Sequence, residues 1–192
     1  MEKIVTKRFI SLFIALAVIL SSTLVFAKKN QPPPPNGEAR TGTLYLFQKT
    51  SATGPWPIVE GGSWGDMKYN LWGDKFNFMF QGRKLQPGTS YTLIYYPDPW
   101  PGTNLICLGS GVANVGGNLN IFDFDFDIGT SLPATYDANY TPIPPSGAVG
   151  AKIWLVLSSD VDCDSRDNRQ MIGWNPDSYL FEYNLINFEL RP

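Results

Sequence analysis

The chain has 192 residues, a formal net charge of −2 and no histidine. Its 15 basic and 17 acidic residues exclude the strongly basic surface by which nucleic-acid-binding domains are recognised. The lack of histidine removes the usual general base for serine and cysteine nucleophiles, together with blue-copper sites and nearly all catalytic zinc sites.

Residues 1–27 have the pattern of a secretory signal peptide. Three basic residues precede an apolar run over residues 9–20, and Val25-Phe26-Ala27 supplies compact residues before a cleavage point. An uncleaved membrane anchor is the alternative, but the apolar run is short for a hydrocarbon core about 30 Å thick. We expect cleavage after Ala27 and a protein located outside the cell or on the exterior of the cell envelope, without a membrane span after cleavage.

Residues 28–41 have the composition of a linker, and residues 42–192 form the expected domain. The linker contains the run Pro32–Pro35, which favours extended polyproline II structure and cannot join the interior of a sheet. The segment that follows is long enough to bury a hydrophobic core.

The first part of the domain predicts a strand and a β-hairpin. Residues 44–48 form an apolar strand, and residues 64–72 and 76–81 both alternate apolar and polar side chains. A period of two is typical of half-buried strands. Gly73-Asp74 between the two alternating runs predicts the turn of the hairpin.

A Pro87-Gly88 turn precedes Tyr91, whose hydroxyl is expected to bond back to the turn backbone. That arrangement is the tyrosine corner of Greek-key sandwiches, and the local string resembles the corresponding turn of fibronectin type III domains.

Residues 118–128 predict a strand with a β-bulge near Ile121, because the apolar positions change parity there. After the bulge, one face is expected to bury phenylalanines and the other to expose carboxylates. These residues are Phe122, Phe124, Phe126, Asp123, Asp125 and Asp127. The carboxylates could share cations, but we favour a role in solvating the strand and deterring edge pairing.

Two further strands complete the pattern. Residues 152–157 are apolar on both parities, which predicts a central strand buried on both faces. Residues 179–190 predict a last strand with its own change of phase. About eight short strands without helical periodicity indicate an all-β fold, a single Greek-key β-sandwich of the immunoglobulin or fibronectin kind or a jelly roll.

Cys107 and Cys163 are the two cysteines of the chain. In an oxidising compartment, pairing into one disulfide is the expected state. Two free thiols or a metal site are the alternatives, and a metal site is disfavoured because the chain has no histidine to complete the ligand set.

Four aspartates crowd one loop, and alternate carboxylates suit calcium, which takes several oxygen ligands. They are Asp160, Asp162, Asp164 and Asp167. An EF-hand is excluded because Ser165 stands where the loop requires glycine and Met171 stands where it requires glutamate. A looser calcium site is retained as a hypothesis, and an acidic solvated loop pinned by the disulfide is favoured over it.

Trp56, Trp100 and Trp174 each stand in a loop rich in proline or glycine. Loop tryptophans form flat platforms for sugar rings or anchor a protein partner. The alternative is that they cap the ends of the sandwich core. Trp154, on a predicted strand, is expected to lie inside that core.

An enzyme built on this chain would need carboxylates, tyrosines or a lysine as its catalytic groups, and carboxylate pairs are one possibility. Glu182 and Glu189 on the predicted last strand are the candidates, and a glycosidase needs such a pair about 5 to 9 Å apart. Asn139-Tyr140-Thr141 also matches the acceptor pattern for N-glycosylation.

Several strings together resemble a family of small secreted prokaryotic proteins without an assigned activity. They are residues 91–102 (YTLIYYPDPWPG), 105–111 (LICLGSG), 151–157 (AKIWLVL), 173–176 (GWNP) and 179–183 (YLFEY). The resemblance covers most of the domain and implies one secreted β-sandwich, but it transfers no site residues.

These observations favour a secreted, non-catalytic β-sandwich that uses loop aromatics to bind a glycan or an extracellular protein. A structural envelope or matrix protein, stabilised by the disulfide and by calcium, is the first alternative. A carboxylate-dependent polysaccharide hydrolase is the second. We expect no cofactor other than calcium, and no nucleic-acid partner.

Overall fold

The structure of this protein is a computed structural model, and it describes residues 40–50, 56–134, 150–165 and 168–191. The predicted signal peptide, nearly all of the predicted linker, Asn139 and Asp167 lie outside these ranges. No helix within them is long and apolar enough to cross a membrane. The strands are β1 (Thr41–Phe47), β2 (Trp64–Asn70), β3 (Trp72–Gly73), β4 (Phe76–Arg83), β5 (Ser90–Tyr96), β6 (Ile106–Val112), β7 (Leu119–Phe126), β8 (Lys152–Leu157), β9 (Val161–Asp162), β10 (Gln170–Met171), β11 (Phe181–Glu182) and β12 (Glu189–Leu190), with 3₁₀-helices at Ser158–Asp160 and Pro176–Ser178.

Two main sheets confirm the predicted all-β sandwich. One has the order β11-β1-β2-β4-β7 and the other the order β6-β5-β8, with antiparallel neighbours throughout. The described residues contain twelve strands rather than about eight, because five of the twelve have only two residues. The predicted last strand over residues 179–190 is one source of the difference, since it is broken into β11 and β12.

The main core lies between the two sheets and follows the period of two. Phe76, Phe78 and Phe80 of β4 point inward together with alternate residues of β2, which confirms the predicted hairpin. Burial of each phenylalanine contributes about 1.5–3 kcal/mol. The predicted tyrosine corner is also present, because the Gln86 N–H donates to the Tyr91 hydroxyl at 3.3 Å.

A second core lies on the opposite face of the three-stranded sheet. Ile94 of β5 and Val156 of β8 belong to it, and residues 158–165 and 168–181, here called the covering segment, pack over them. Burial of β8 on both faces is therefore confirmed. The expectation that β8 is central is wrong, because β5 lies at the centre of the sheet, and the outer edge of β8 is instead bridged by Leu180.

The predicted disulfide is present. Cys107 on β6 is bonded to Cys163, which follows β9, and their Cα atoms are 6.0 Å apart. The bond fastens the covering segment of the second core to the sheet beneath it. For a sequence separation of 56 residues, the chain-entropy model gives a stabilisation of about 4 kcal/mol.

The prediction for β7 is wrong in two respects, the burial of its phenylalanines and the position of its bulge. Phe122 and Phe124 are 60% and 61% exposed on the outer face of the five-stranded sheet, rather than buried. The register shifts between the Asp123 and Phe126 pairings with β4, so the bulge lies beyond Ile121. Because the change of parity comes after Phe124, both of these phenylalanines stay on the face opposite to the core.

Candidate functional site

An open cleft lies on the outer face of the three-stranded sheet, at the end where Tyr96 pairs with Lys152. Its volume is about 470 Å³. Four aromatic side chains and one carboxylate line it. These are Tyr96, Asp98, Trp100, Trp154 and Trp174.

The floor of the cleft is a stacked pair of rings from two neighbouring strands. Tyr96 of β5 and Trp154 of β8 occupy a diagonal position on the same face, and their ring centroids are 3.9 Å apart with planes 11° from parallel. The Trp154 indole N–H donates to a carboxylate oxygen of Glu182, which fixes the plane of that ring. Trp154 is predicted to be a core residue, and it is buried, but it also lines the cleft.

Two loop tryptophans form the walls. The rings of Trp100 and Trp174 are 5.2 Å apart and stand at 81° to each other. Trp174 also contacts Trp154 of the floor, at 6.3 Å and 56°. Both wall residues remain largely exposed, at 52% and 43%.

The third predicted tryptophan joins the same cluster from the other side. Trp56 packs against Trp174, with ring centroids 6.0 Å apart, and against Phe181 at 5.3 Å. The structure thus brings all three predicted loop aromatics together, with Trp174 at the centre. Trp56 lies behind the wall and does not line the cleft.

The loop that carries Trp100 is held by close backbone contacts. The Gly102 N–H donates to the Pro99 carbonyl at 2.8 Å, and the Met171 N–H donates to the Pro101 carbonyl at 2.8 Å. Gly102 has φ +72°, and a Cβ at this position would run into the Tyr96 ring. Glycine is therefore required for the loop to approach the floor of the cleft.

The loop that carries Trp174 is organised by a buried carboxylate. Asp160 is only 5% exposed and accepts hydrogen bonds from the Tyr179 hydroxyl and, at 2.8 Å, from the Asn175 side chain. Burial and this contact with Asp160 raise the pKa of Tyr179 well above its ordinary value. Trp174 packs edge-on against the Tyr179 ring at 5.7 Å, so the network beneath the loop sets the position of the wall.

The predicted calcium ligands do not converge in the described part of the chain. Asp160 faces Tyr179 and Asn175, whereas Asp162 accepts hydrogen bonds from Ser165 that lower its pKa. Within the described ranges no three acidic, cysteine or histidine side chains are grouped closely enough to hold a metal ion. Asp164 is exposed. The calcium site stays a prediction, since Asp167 lies outside those ranges.

Two acidic and two basic residues lie beside the floor of the cleft. The Lys152 ammonium forms an ion pair with Asp98, and the Lys49 ammonium donates to the Glu182 carbonyl at 2.7 Å. Burial raises the pKa of the Glu182 carboxyl, although Lys49 and Lys152 oppose the shift. Burial also lowers the pKa of Lys152 to about 8, against the opposing effect of Glu182. Two acids and two bases leave this region without net charge when all four are ionised.

The two glutamates proposed as a hydrolytic pair are far apart. Glu182 pairs with Leu46 near the end of β1, whereas Glu189 pairs with Trp72 beyond the start of that strand. Five residues of β1 span roughly 17 Å, which exceeds the separation that either glycosidase mechanism uses. Glu189 is exposed and paired with Arg191 at 2.6 Å. These two carboxylates therefore do not form a two-carboxylate site.

Comparison with known protein families, curated proteins and solved structures found no match for this chain. The resemblance to small secreted prokaryotic proteins stays a prediction, and function has to be inferred from the geometry of the cleft.

Sequence patterns did not single out Tyr96 or Asp98 as site residues. A usable signal was present, because β5 and β8 both carry aromatic residues on the parity that faces away from the main core.

Proposed function

We propose that this protein is a secreted, non-catalytic module that binds carbohydrate in the aromatic cleft. The observation that carries the proposal is the convergence of Trp100 and Trp174 over the Tyr96–Trp154 floor. Large aromatic side chains that stay exposed around a concavity are typical of binding sites. The secreted part of the proposal rests on the predicted signal peptide.

Carbohydrate suits this cleft because a sugar ring has an apolar face of C–H groups and a polar rim of hydroxyls. An indole offers a flat apolar surface and one N–H donor, and Asp98 supplies an acceptor at the edge of the cleft. The same combination of stacking surface and convergent polar group is typical of small-molecule sites.

A structural role for the tryptophans is the competing interpretation. Trp174 packs against Tyr179 and Phe181, so the indoles also cover the second core, as expected of an envelope or matrix protein. The two interpretations differ in what the loss of an exposed indole does. Loss of a binding wall abolishes ligand retention, whereas loss of a cap only lowers stability.

A glycan array probed with the protein purified from a secreting host tests the proposal. Binding of one glycan class, reduced at least about tenfold by Trp100→Ala, is the expected result. Phe124→Ala removes an aromatic side chain of similar exposure from the other sheet and serves as the matched control. A blank array, or retention unchanged in Trp100→Ala, would refute carbohydrate binding. Repeating the array with a calcium chelator tests whether the predicted calcium site contributes.

A further inference from the structure

The angles between the indoles restrict the shape of the ligand. Trp100 stands at 81° and Trp154 at 56° to Trp174, so the three rings form a corner rather than a continuous platform. A polysaccharide that lies flat along a surface needs its aromatic contacts in one plane. A corner instead gives one sugar ring several stacking surfaces and offers no coplanar indole to the next ring of a chain.

The size of the cleft agrees with this restriction. Its volume of about 470 Å³ lies toward the lower end of the range for small-molecule sites, about 300–1,000 Å³. A short ligand or the end of a chain fits that space, whereas an extended polymer would leave most of its length uncontacted.

The charges restrict the ligand further. Asp98 is the charged side chain that lines the cleft, and its contact with Lys152 balances its charge. A cationic ligand would compete with Lys152 for the Asp98 carboxylate, and an anionic ligand would compete with Asp98 for the Lys152 ammonium, so either would have to replace an existing ion pair. A neutral hydroxyl meets neither obstacle, because a carboxylate accepts several hydrogen bonds and keeps Lys152 while it binds a further donor.

We infer that the cleft binds the terminal ring of an uncharged glycan, with the apolar face of the ring on Trp174 and neighbouring hydroxyls donating to Asp98. This inference rests on the proposed carbohydrate function and narrows it to one neutral, chain-terminal ring. Lys152 and Glu182 act as positioning residues, since they contact Asp98 and the Trp154 indole respectively.

Competition against the glycan retained on the array tests the inference, with tryptophan fluorescence as the second readout. The competitors are the methyl glycosides of glucose, galactose and mannose, together with glucuronate and choline. At least one methyl glycoside should compete fully, and lengthening the glycan should not raise its affinity. Stronger competition by glucuronate or choline overturns the inference, because the charge argument then fails.

The length of the glycan and the Asp98 carboxylate are tested separately. Affinity that rises with each added sugar would show a lateral groove, which overturns the terminal-ring inference but leaves carbohydrate binding intact. A blank array removes both. Asp98→Asn should weaken binding about tenfold, measured at a temperature where circular dichroism shows that the variant remains folded, because loss of the ion pair with Lys152 also lowers stability. Asp125→Asn, which alters an exposed carboxylate of β7, is the control and should bind like the wild type.

Discussion

The two cores of this sandwich are built by different means. Between the sheets, apolar side chains alternate along strands of six to eight residues. On the outside of the three-stranded sheet, the covering segment has only two-residue strands and is held by a disulfide and a buried carboxylate. The main core is thus encoded by a local pattern, whereas the second core depends on contacts between residues far apart in sequence.

This difference separates stability from function. The cleft is built from the second core and its loops, since Tyr96, Trp154, Tyr179 and Phe181 belong to that core or support the walls. We expect damage to the main core to unfold the domain as a whole, and damage to the second core to disturb the cleft as well.

Removal of the disulfide has the largest expected effect. Cys107→Ser combined with Cys163→Ser should lower the free energy of unfolding by about 4 kcal/mol, because the unfolded chain gains loop entropy. Urea denaturation measures the change, and the wild type denatured under reducing conditions should match the double variant. Equal stability with and without the bond would mean that the second core does not depend on it.

Substitutions at two neighbouring residues of β8 compare the contributions of the two cores directly. Leu155 faces the main core and Val156 the second core, and both are fully buried. Leu155→Ala should cost about 3 kcal/mol and Val156→Ala about 2 kcal/mol, in proportion to the volume removed. Of the two, only Val156→Ala should also weaken glycan retention under conditions where both variants remain folded. Equal effects on retention would contradict the division between the cores.

Denaturation at alkaline pH tests how much the buried Tyr69 hydroxyl of the main core contributes to stability. Burial raises the pKa of Tyr69 from 10.0 to about 12, so between these values the unfolded state releases a proton that the folded state keeps. Stability conferred by this group is complete below pH 10 and is lost as the pH rises through 12, by about 2 kcal/mol at pH 12. Tyr69→Phe should remove that part of the loss in denaturation experiments at several pH values.

Two other tyrosines should keep the stability of the Tyr69→Phe variant dependent on pH in the alkaline range. The pKa values of Tyr91 and Tyr179 are also raised by burial, so Tyr69→Phe should reduce the alkaline loss without abolishing it. Tyr183→Phe alters an exposed tyrosine and should follow the wild type. A Tyr69→Phe profile identical to that of the wild type would show that this group does not contribute.

The tyrosine corner has the smallest expected effect. Tyr91→Phe removes the acceptor of the Gln86 N–H and should lower the free energy of unfolding by about 1 kcal/mol. The measurement is urea denaturation at pH 7, where the m-value should not change. A loss above about 3 kcal/mol would show that the ring itself had moved in the core.

The fold could be predicted where alternation and turn chemistry are local. The hairpin of β2 and β4, the corner at Tyr91 and the double burial of β8 all follow from patterns within about twenty residues. The bulge in β7 was misplaced because a change of parity can be accommodated at any of several neighbouring residues, and pairing with β4 selects among them.

The site was foreseen only as a set of residue types. Trp56, Trp100 and Trp174 lie in three separate loops, and nothing local indicates that they meet. The sequence favours a solvated loop around Asp160, yet this residue is buried. Its partner Tyr179 lies 19 residues away in the sequence, so no local pattern indicates their contact. Juxtapositions of this kind come from the path of the chain across the sheet, which periodicity does not encode.

The gathering of indoles around Trp174 also has an optical consequence. Trp56, Trp100 and Trp154 all lie between 5.2 and 6.3 Å from its ring, at steep and different angles. At such distances the electronic transitions of the chromophores couple, and a chiral arrangement splits them into an exciton couplet in circular dichroism. The assembled cleft therefore carries its own spectroscopic signature, which reports when the three loops have met during folding without any added label.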